Sequence, residues 1–463
     1  MMDCSLNFFE ESIIDNDDLP SEWRSQEALD GLSEFLESNW KERASLFGDG
    51  NKASGQQFLS FLSQKRIRTQ DYVGTIAYKG QKINVFPKVF RQNYSNDDKS
   101  KLEFKHLMHN LVVWIDYCNK IYYPYINISS EVGENDDLKE LFITLFIRYL
   151  EAAFDGGMFY KYEEVAEDCK TIKGKPNIKD YLLCKWPSGN QDVFECEYST
   201  FEIDNLFNRM IKCVCKSIFN ETSPTNQKHI RRIIMRLNEV SDVKCVPSDC
   251  DKIRLNYLQR RYKVILSLCK LFLFNKTTTN DLDKIDSFSF LFPTDILFEG
   301  FVGGFLKATL EKEARVRLQA SDLKVFDELV YKGKKFGGTL QMKNDILVEH
   351  KDKGVFVLDT KYKQIERFEN ARDIRQIIKE EIKSDDVYQL LTYARKRGSK
   401  DVYLLYPMYR SEDVEPDYPY GVSAKEDGTE PINVHFIRLP FVFEDDVEKT
   451  KDKLRGVITS LFK

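Results

Sequence analysis

The chain has 463 residues, 42% hydrophobic and 31% charged, enough to bury a core and too many for one compact domain. Its 69 basic and 74 acidic residues leave a formal charge of −5, which excludes a globally basic nucleic-acid binder and leaves a local patch or a partner's help for that role. No apolar run reaches the ~18 residues of a membrane span, and ten cysteines without a CxxC pair indicate reduced thiols in a cytoplasmic chain.

The acidic N-terminus, MMDCSLNFFEESIIDNDD, lacks the apolar stretch of a secretory signal. SEWRSQEALDGLSEFLESNW has apolar residues at helical spacing. In DYVGTIAYKGQKINVFPKVF, Ile76 and Tyr78, then Ile83 and Val85, flank Lys79-Gly80-Gln81, which predicts a β-hairpin. Lys79, Lys82 and Lys88 make it an expected projecting element, and Pro87 suits a strand end. SNDDKSK (95–101) is a loop-like break. DDLKELFITLFIRYLEAAFDGG, TFEIDNLFNRMIKCVCKSIF, NQKHIRRIIMRLNEV and YKVILSLCKLFLF then predict helices, the last one buried. Lys228, Arg231, Arg232 and Arg236 fit a solvated helix face, with DNA-backbone contact the sharper alternative.

The final part opens with a helix, FPTDILFEGFVGGFLKATLEKEA, which carries Glu299. Strand-like segments follow, then the helix SDDVYQLLTYARK with Gln389, then the strand DVYLLYP. The expected fold class is α+β or mixed α/β. An N-terminal β-containing domain spans 1–100, a mainly helical middle region 101–285 and an α/β domain 286–463.

The chemistry concentrates in NDILVEHKDKGVFVLDTKYK (344–363). Side chains alternate along a strand, so Asp359 and Lys361 share a face, roughly 6–7 Å apart. The upstream strand from Asp345 returns through HKDKG, where Gly354 suits a turn with positive φ. A three-residue loop sets Asp345 opposite either Asp359 or Lys361. Two carboxylates and the Thr360 carbonyl form a hard-oxygen set suited to Mg²⁺, or to Mn²⁺. Such a metal activates water and polarises a phosphodiester, while an ammonium offsets developing charge. Glu299 could add a carboxylate, and Gln389 could position the water or tie Lys361. The plain alternative is a partly solvated ion pair at a strand edge, which contributes little.

These segments resemble the PD-(D/E)XK nuclease core, specifically the McrC family, the nuclease subunit of McrBC-type modification-dependent restriction systems. GTIAYKGQKINVFPKVF, CKTIKGKPNIKDYL and FECEYSTFEIDNLFNRMIK (with Asp204, Asn208 and Arg209) resemble further elements of that family, so the likeness covers most of the chain beyond about residue 70. It implies that Asp345 and Asp359 bind metal, that Lys361 is the catalytic lysine, and that Glu299 and Gln389 are the helix acid and the glutamine after the core. Asn344 stands where the family often has Pro. The resemblance also implies a separate McrB-like AAA+ GTPase ring as partner. The N-terminal part would dock into that ring and stimulate it, and the C-terminal domain would cut double-stranded DNA. In keeping with this, the sequence contains no GxxxxGK[ST]. Two alternatives stay open: a stand-alone repair nuclease, and a non-catalytic scaffold that activates an AAA+ ring.

Overall fold

The computed structural model describes residues 5–43, 58–79, 81–91, 104–118, 138–256, 259, 262–277, 288–363, 365, 371–409, 421–425, 431–443 and 446–462. The break expected at 95–101 lies outside them. The fold is mixed α and β, and contacts divide the chain into two compact units. Residues 1–138 and 281–463 form one, and 139–280 the other. These units are drawn differently from the three parts expected from sequence, because the N-terminal and C-terminal segments share a unit.

In the first unit, a four-stranded sheet runs Ser5–Phe9, Gln81–Phe86, Tyr72–Tyr78, Phe288–Pro293. The predicted hairpin is present, with Ile76 paired to Ile83, and its second strand stops before Pro87. It does not project. Its strands are the two inner ones of the sheet, with apolar residues packed into a core with Trp23, Leu32, Ile67 and Leu291. Of its three lysines, Lys79 is exposed and Lys88 is buried. The hairpin's apolar residues outnumber what one buried face needs, so both faces are covered.

A second, six-stranded sheet has the order Ala314–Ala320, Asn344–His350, Gly354–Thr360, Asp401–Pro407, Asn433–Leu439, Gly421–Lys425. The first three strands pair antiparallel, and the central pairs are parallel. The Ser384–Arg397 helix makes the crossover between the parallel strands and packs on the face of Leu347, Val357 and Leu404. The Thr294–Thr309 helix precedes the sheet, as expected. Phe104–Tyr117, expected in the middle region, packs in this unit: Trp114 stacks on Phe441 with ring centroids 4.2 Å apart.

The second unit has the expected helices Leu206–Ile218, Pro224–Arg236 and Tyr262–Thr277. Lys228, Arg231, Arg232 and Arg236 are all exposed, as a solvated face requires. It also has a three-stranded sheet built on Lys161–Cys169 and Phe194–Glu202, so "mainly helical" undercounts its strands. The alternating FECEYSTFE is a strand pattern, and it forms one. The nine cysteines among the described residues are free thiols. No helix among the described residues is long and apolar enough to cross a membrane.

Candidate active site

Asn344–His350 and Gly354–Thr360 are inner strands rich in Ile, Val and Leu, and five of those side chains are buried. Lys351–Lys353 form a three-residue loop between them, and Gly354 adopts φ 92°. The register pairs Ile346 with Leu358, so one step further Asp345 stands level with Asp359. Of the two arrangements open from sequence, the structure takes the one with facing carboxylates. The Thr360 hydroxyl and backbone N–H both donate to Asp345 Oδ2, at 3.2 Å.

Asp359 is 6% exposed, so the expectation of partly solvated charge fails for this residue. The strand runs into the core under the Ser384–Arg397 helix, and its last acid is covered there. Burial and the neighbouring Asp345 charge push the Asp359 carboxyl up to about 6, against the pull of Lys361. Lys361 Nζ lies 2.7 Å from Asp359 Oδ2. The ammonium is thus the partner of this buried oxygen. The Lys361 backbone N–H donates to Leu405 O at 2.9 Å, which fixes the lysine just beyond the strand. Burial opposes its charge, yet the carboxylates of Asp359, Asp386 and Asp345 hold its ammonium above the ordinary lysine range.

Asp386 was missed from sequence. It sits in the first turn of the Ser384–Arg397 helix, 3.4 Å from Lys361 Nζ and 2.9 Å from Lys363 Nζ. Burial works against its charge, but the two ammonium groups keep it below the usual carboxylate range. Gln389 is exposed and donates along its own helix to Tyr393 Oη at 2.7 Å. The tie from this helix to Lys361, expected of Gln389, is made by Asp386. Glu299 is hydrogen-bonded by Gln319. Gln319 lies between the pairs Leu318–Ile346 and Ala320–Asn344, level with Asp345, and has φ 52°. Glu299 is thus tied to the strand that neighbours the one carrying Asp345. Asn344 is fully buried, and its Oδ1 accepts from Arg397 at 3.2 and 3.3 Å.

Among the described residues no group of three His, Cys, Asp or Glu side chains is set to hold a metal. Asp345 and Asp359 nonetheless face each other at one strand end, two carboxylates within one register step of the Ile346–Leu358 pair. Together with the Thr360 carbonyl, that donor set fits a hard divalent cation whose remaining ligands are water.

Three comparisons bear on this geometry. A family model described as McrBC 5-methylcytosine restriction system component matches residues 67–407. The chain is similar to one in a refined half-complex from a tetradecameric assembly of Thermococcus gammatolerans McrB AAA+ hexamers with bound McrC. That match is 16% identical, covers 99% of this chain and 100% of that one, and has a TM-score of 0.64. A second similarity, to a chain in the cryo-EM structure of the Thermococcus gammatolerans McrBC complex, is 19% identical, covers 66% and 88%, and has a TM-score of 0.48. No curated protein matches the chain. The first structural likeness shows a shared fold.

Proposed function

The chain belongs to the family of McrBC 5-methylcytosine restriction system components, and from that premise we propose that it is the system's DNA endonuclease subunit, with a PD-(D/E)XK core, working in the cytoplasm with a McrB-like AAA+ GTPase ring that it stimulates. The observation that carries the reading is the convergence of Asp345, Asp359 and Lys361 at one end of a buried hairpin. A surface ion pair would not bury Asp359.

Asp345, Asp359 and the Thr360 carbonyl would hold Mg²⁺ or Mn²⁺, which when bound polarises a phosphodiester and acidifies a water. Lys361 stays protonated beside three carboxylates and so presents a fixed positive charge to an approaching phosphate. Asp386 holds that ammonium, and the Leu405 carbonyl holds the lysine's backbone N–H. Glu299, hydrogen-bonded by Gln319, would serve from its helix, tied to the strand next to the one that carries the first acid.

The test is cleavage of modified duplex by the full chain with its AAA+ partner, GTP and Mg²⁺. Asp359→Asn is expected to lose at least 100-fold in cutting while the partner's GTP hydrolysis stays stimulated. Its Tm should match or exceed wild type, because the substitution removes a buried charge and keeps the shape. Undiminished cutting by a folded Asp359→Asn chain refutes the assignment. A scaffold role would show as stimulated hydrolysis without cutting by the wild-type chain.

A further inference from the structure

Between the first two strands of the six-stranded sheet the chain leaves the sheet. Lys324–Tyr331 and Lys334–Gln341 pair antiparallel as a separate two-stranded ribbon. Its ends join Ala320 and Asn344, which are partners in the sheet. The ribbon therefore rises from the sheet end that carries Asp345. Lys332 and Gly333 close it, with φ 50° and 76°, the two-residue turn that matches strand twist. Strands of this length reach about 25 Å.

The root is fixed. Met342 N–H donates to Leu323 O at 2.9 Å, and Leu323 and Val325 pack on the domain core. Arg397 grips Asp322 at 2.5 and 3.0 Å, holding its carboxyl well below the usual range. Arg317 adds a contact to the same acid at 3.1 Å.

The outer part is bare. Six large apolar side chains stand exposed on it, including Tyr331 at 64% and Phe336 at 50%. An isolated two-stranded ribbon is marginal in water, so this surface fits one covered in use. Charge says by what. The ribbon has four lysines, Lys324, Lys332, Lys334 and Lys335, against Asp327 and Glu328. Both acids are engaged, Asp327 by Lys396 at 2.7 Å and Glu328 by Lys335 at 3.0 Å. Lys332 and Lys334 lie at the tip, where the Lys332 ammonium stands over the Tyr331 ring, 5.3 Å from its centroid.

We infer that this ribbon is a DNA-binding arm that enters a groove of the duplex beside the scissile phosphate, with Lys332 and Lys334 on the phosphates and the exposed aromatic side chains against base edges. The major groove admits a two-stranded ribbon, and lysines on phosphates position it without reading sequence. A second copy of the chain, docked ribbon to ribbon, would set these lysines against their own kind. The inference rests on the nuclease reading, which supplies the duplex.

Binding of the full chain to a fluorescein-labelled 30-bp duplex, in Ca²⁺ and across a salt series, tests it. Both pairs of substitutions lie on exposed positions, so folding is expected to survive, with circular dichroism as the check. Lys332→Glu with Lys334→Glu should weaken binding at least tenfold and make the salt dependence shallower by about two in log–log slope. Tyr331→Ser with Phe336→Ser should weaken binding and leave that slope unchanged. Unaltered affinity and slope in both variants, or no duplex binding by the wild-type chain, overturns the arm. So does a lysine variant that changes only the sedimenting mass, which would make a second copy the occupant. Asp359→Asn separates the two readings. It should bind duplex at least as tightly as wild type, and if it also cuts with the partner, the nuclease assignment fails while the arm stands.

Discussion

A single carboxyl, Glu10, ties the N-terminal sheet to the segment after the candidate lysine. It is fully buried and accepts from Lys88 N–H at 2.7 Å, Tyr362 Oη at 2.6 Å and Thr294 Oγ1 at 2.7 Å. Burial pushes it from 4.5 up to about 7, against the pull of Lys88, Tyr362 and Thr294. The folded chain therefore keeps this proton where the unfolded chain has released it. The stabilisation is fully present below 4.5 and is lost as pH rises to about 7. The loss is at most about 3 kcal/mol, at 1.36 kcal/mol per pKa unit. Asp71, pushed up to about 6 by burial and Glu11, adds to the same slope, while Glu11 itself is lowered. Comparison with Glu10→Gln isolates the one residue. Between pH 5 and 8, Tm should fall more in wild type than in the variant, and equal slopes would assign the effect elsewhere. No pattern in the sequence announces Glu10, because its partners lie 78, 284 and 352 residues away. Asp345, Asp359 and Lys361 were legible because two periodic strands and a glycine turn fix their relation locally. Asp386 was not: a helix turns about 100° per residue, so without its packing face Asp385, Asp386 and Gln389 are equivalent candidates.

At the scale of elements, the hairpin Tyr72–Phe86 was legible as a hairpin and misjudged as a surface. Alternation and a Gly turn specify pairing, but only neighbouring strands decide whether the pair is inner or edge. With its apolar residues buried, it offers a ring partner little to grip. The second unit offers more. Ile178, Leu182, Leu183 and Trp186 are each at least half exposed, in a short helical stretch between strands. Monomers seldom expose such clusters. If the AAA+ ring is the partner, this stretch is expected to be part of the docking surface. Leu182→Asp with Leu183→Asp should then reduce stimulation of the partner's GTP hydrolysis at least tenfold. Lys79→Glu with Lys82→Glu, on the buried-strand hairpin, should do less. Stimulation that survives the leucine changes and fails with the lysine changes would return docking to the N-terminal hairpin. Thermal melts confirm that each variant is folded.

For the whole molecule, the compact units dictate what can be cut away. Residues 286–463 contain every candidate site residue, which invites their isolation as a nuclease domain. The structure argues against it. Asn110 exchanges two hydrogen bonds with the Phe443 backbone, at 2.8 and 2.7 Å, and Trp114 Nε1 donates to Phe441 O at 2.8 Å. Phe441 and Phe443 are each 1% exposed with these partners in place. Removing the first 138 residues would strand two aromatic side chains, at about 1.5–3 kcal/mol each. It would also take away Glu10, the acceptor for Tyr362 and Thr294. A domain stable by only 5–15 kcal/mol does not tolerate several such losses. Residues 139–280, by contrast, are contiguous and form a compact unit. Expressed alone, 139–280 should unfold cooperatively, whereas 286–463 should lack a melting transition and expose apolar surface to a dye. Coexpression of 1–138 with 286–463 should restore a soluble complex. A cooperative melt for 286–463 by itself would mean that the N-terminal segment only decorates a self-sufficient nuclease fold.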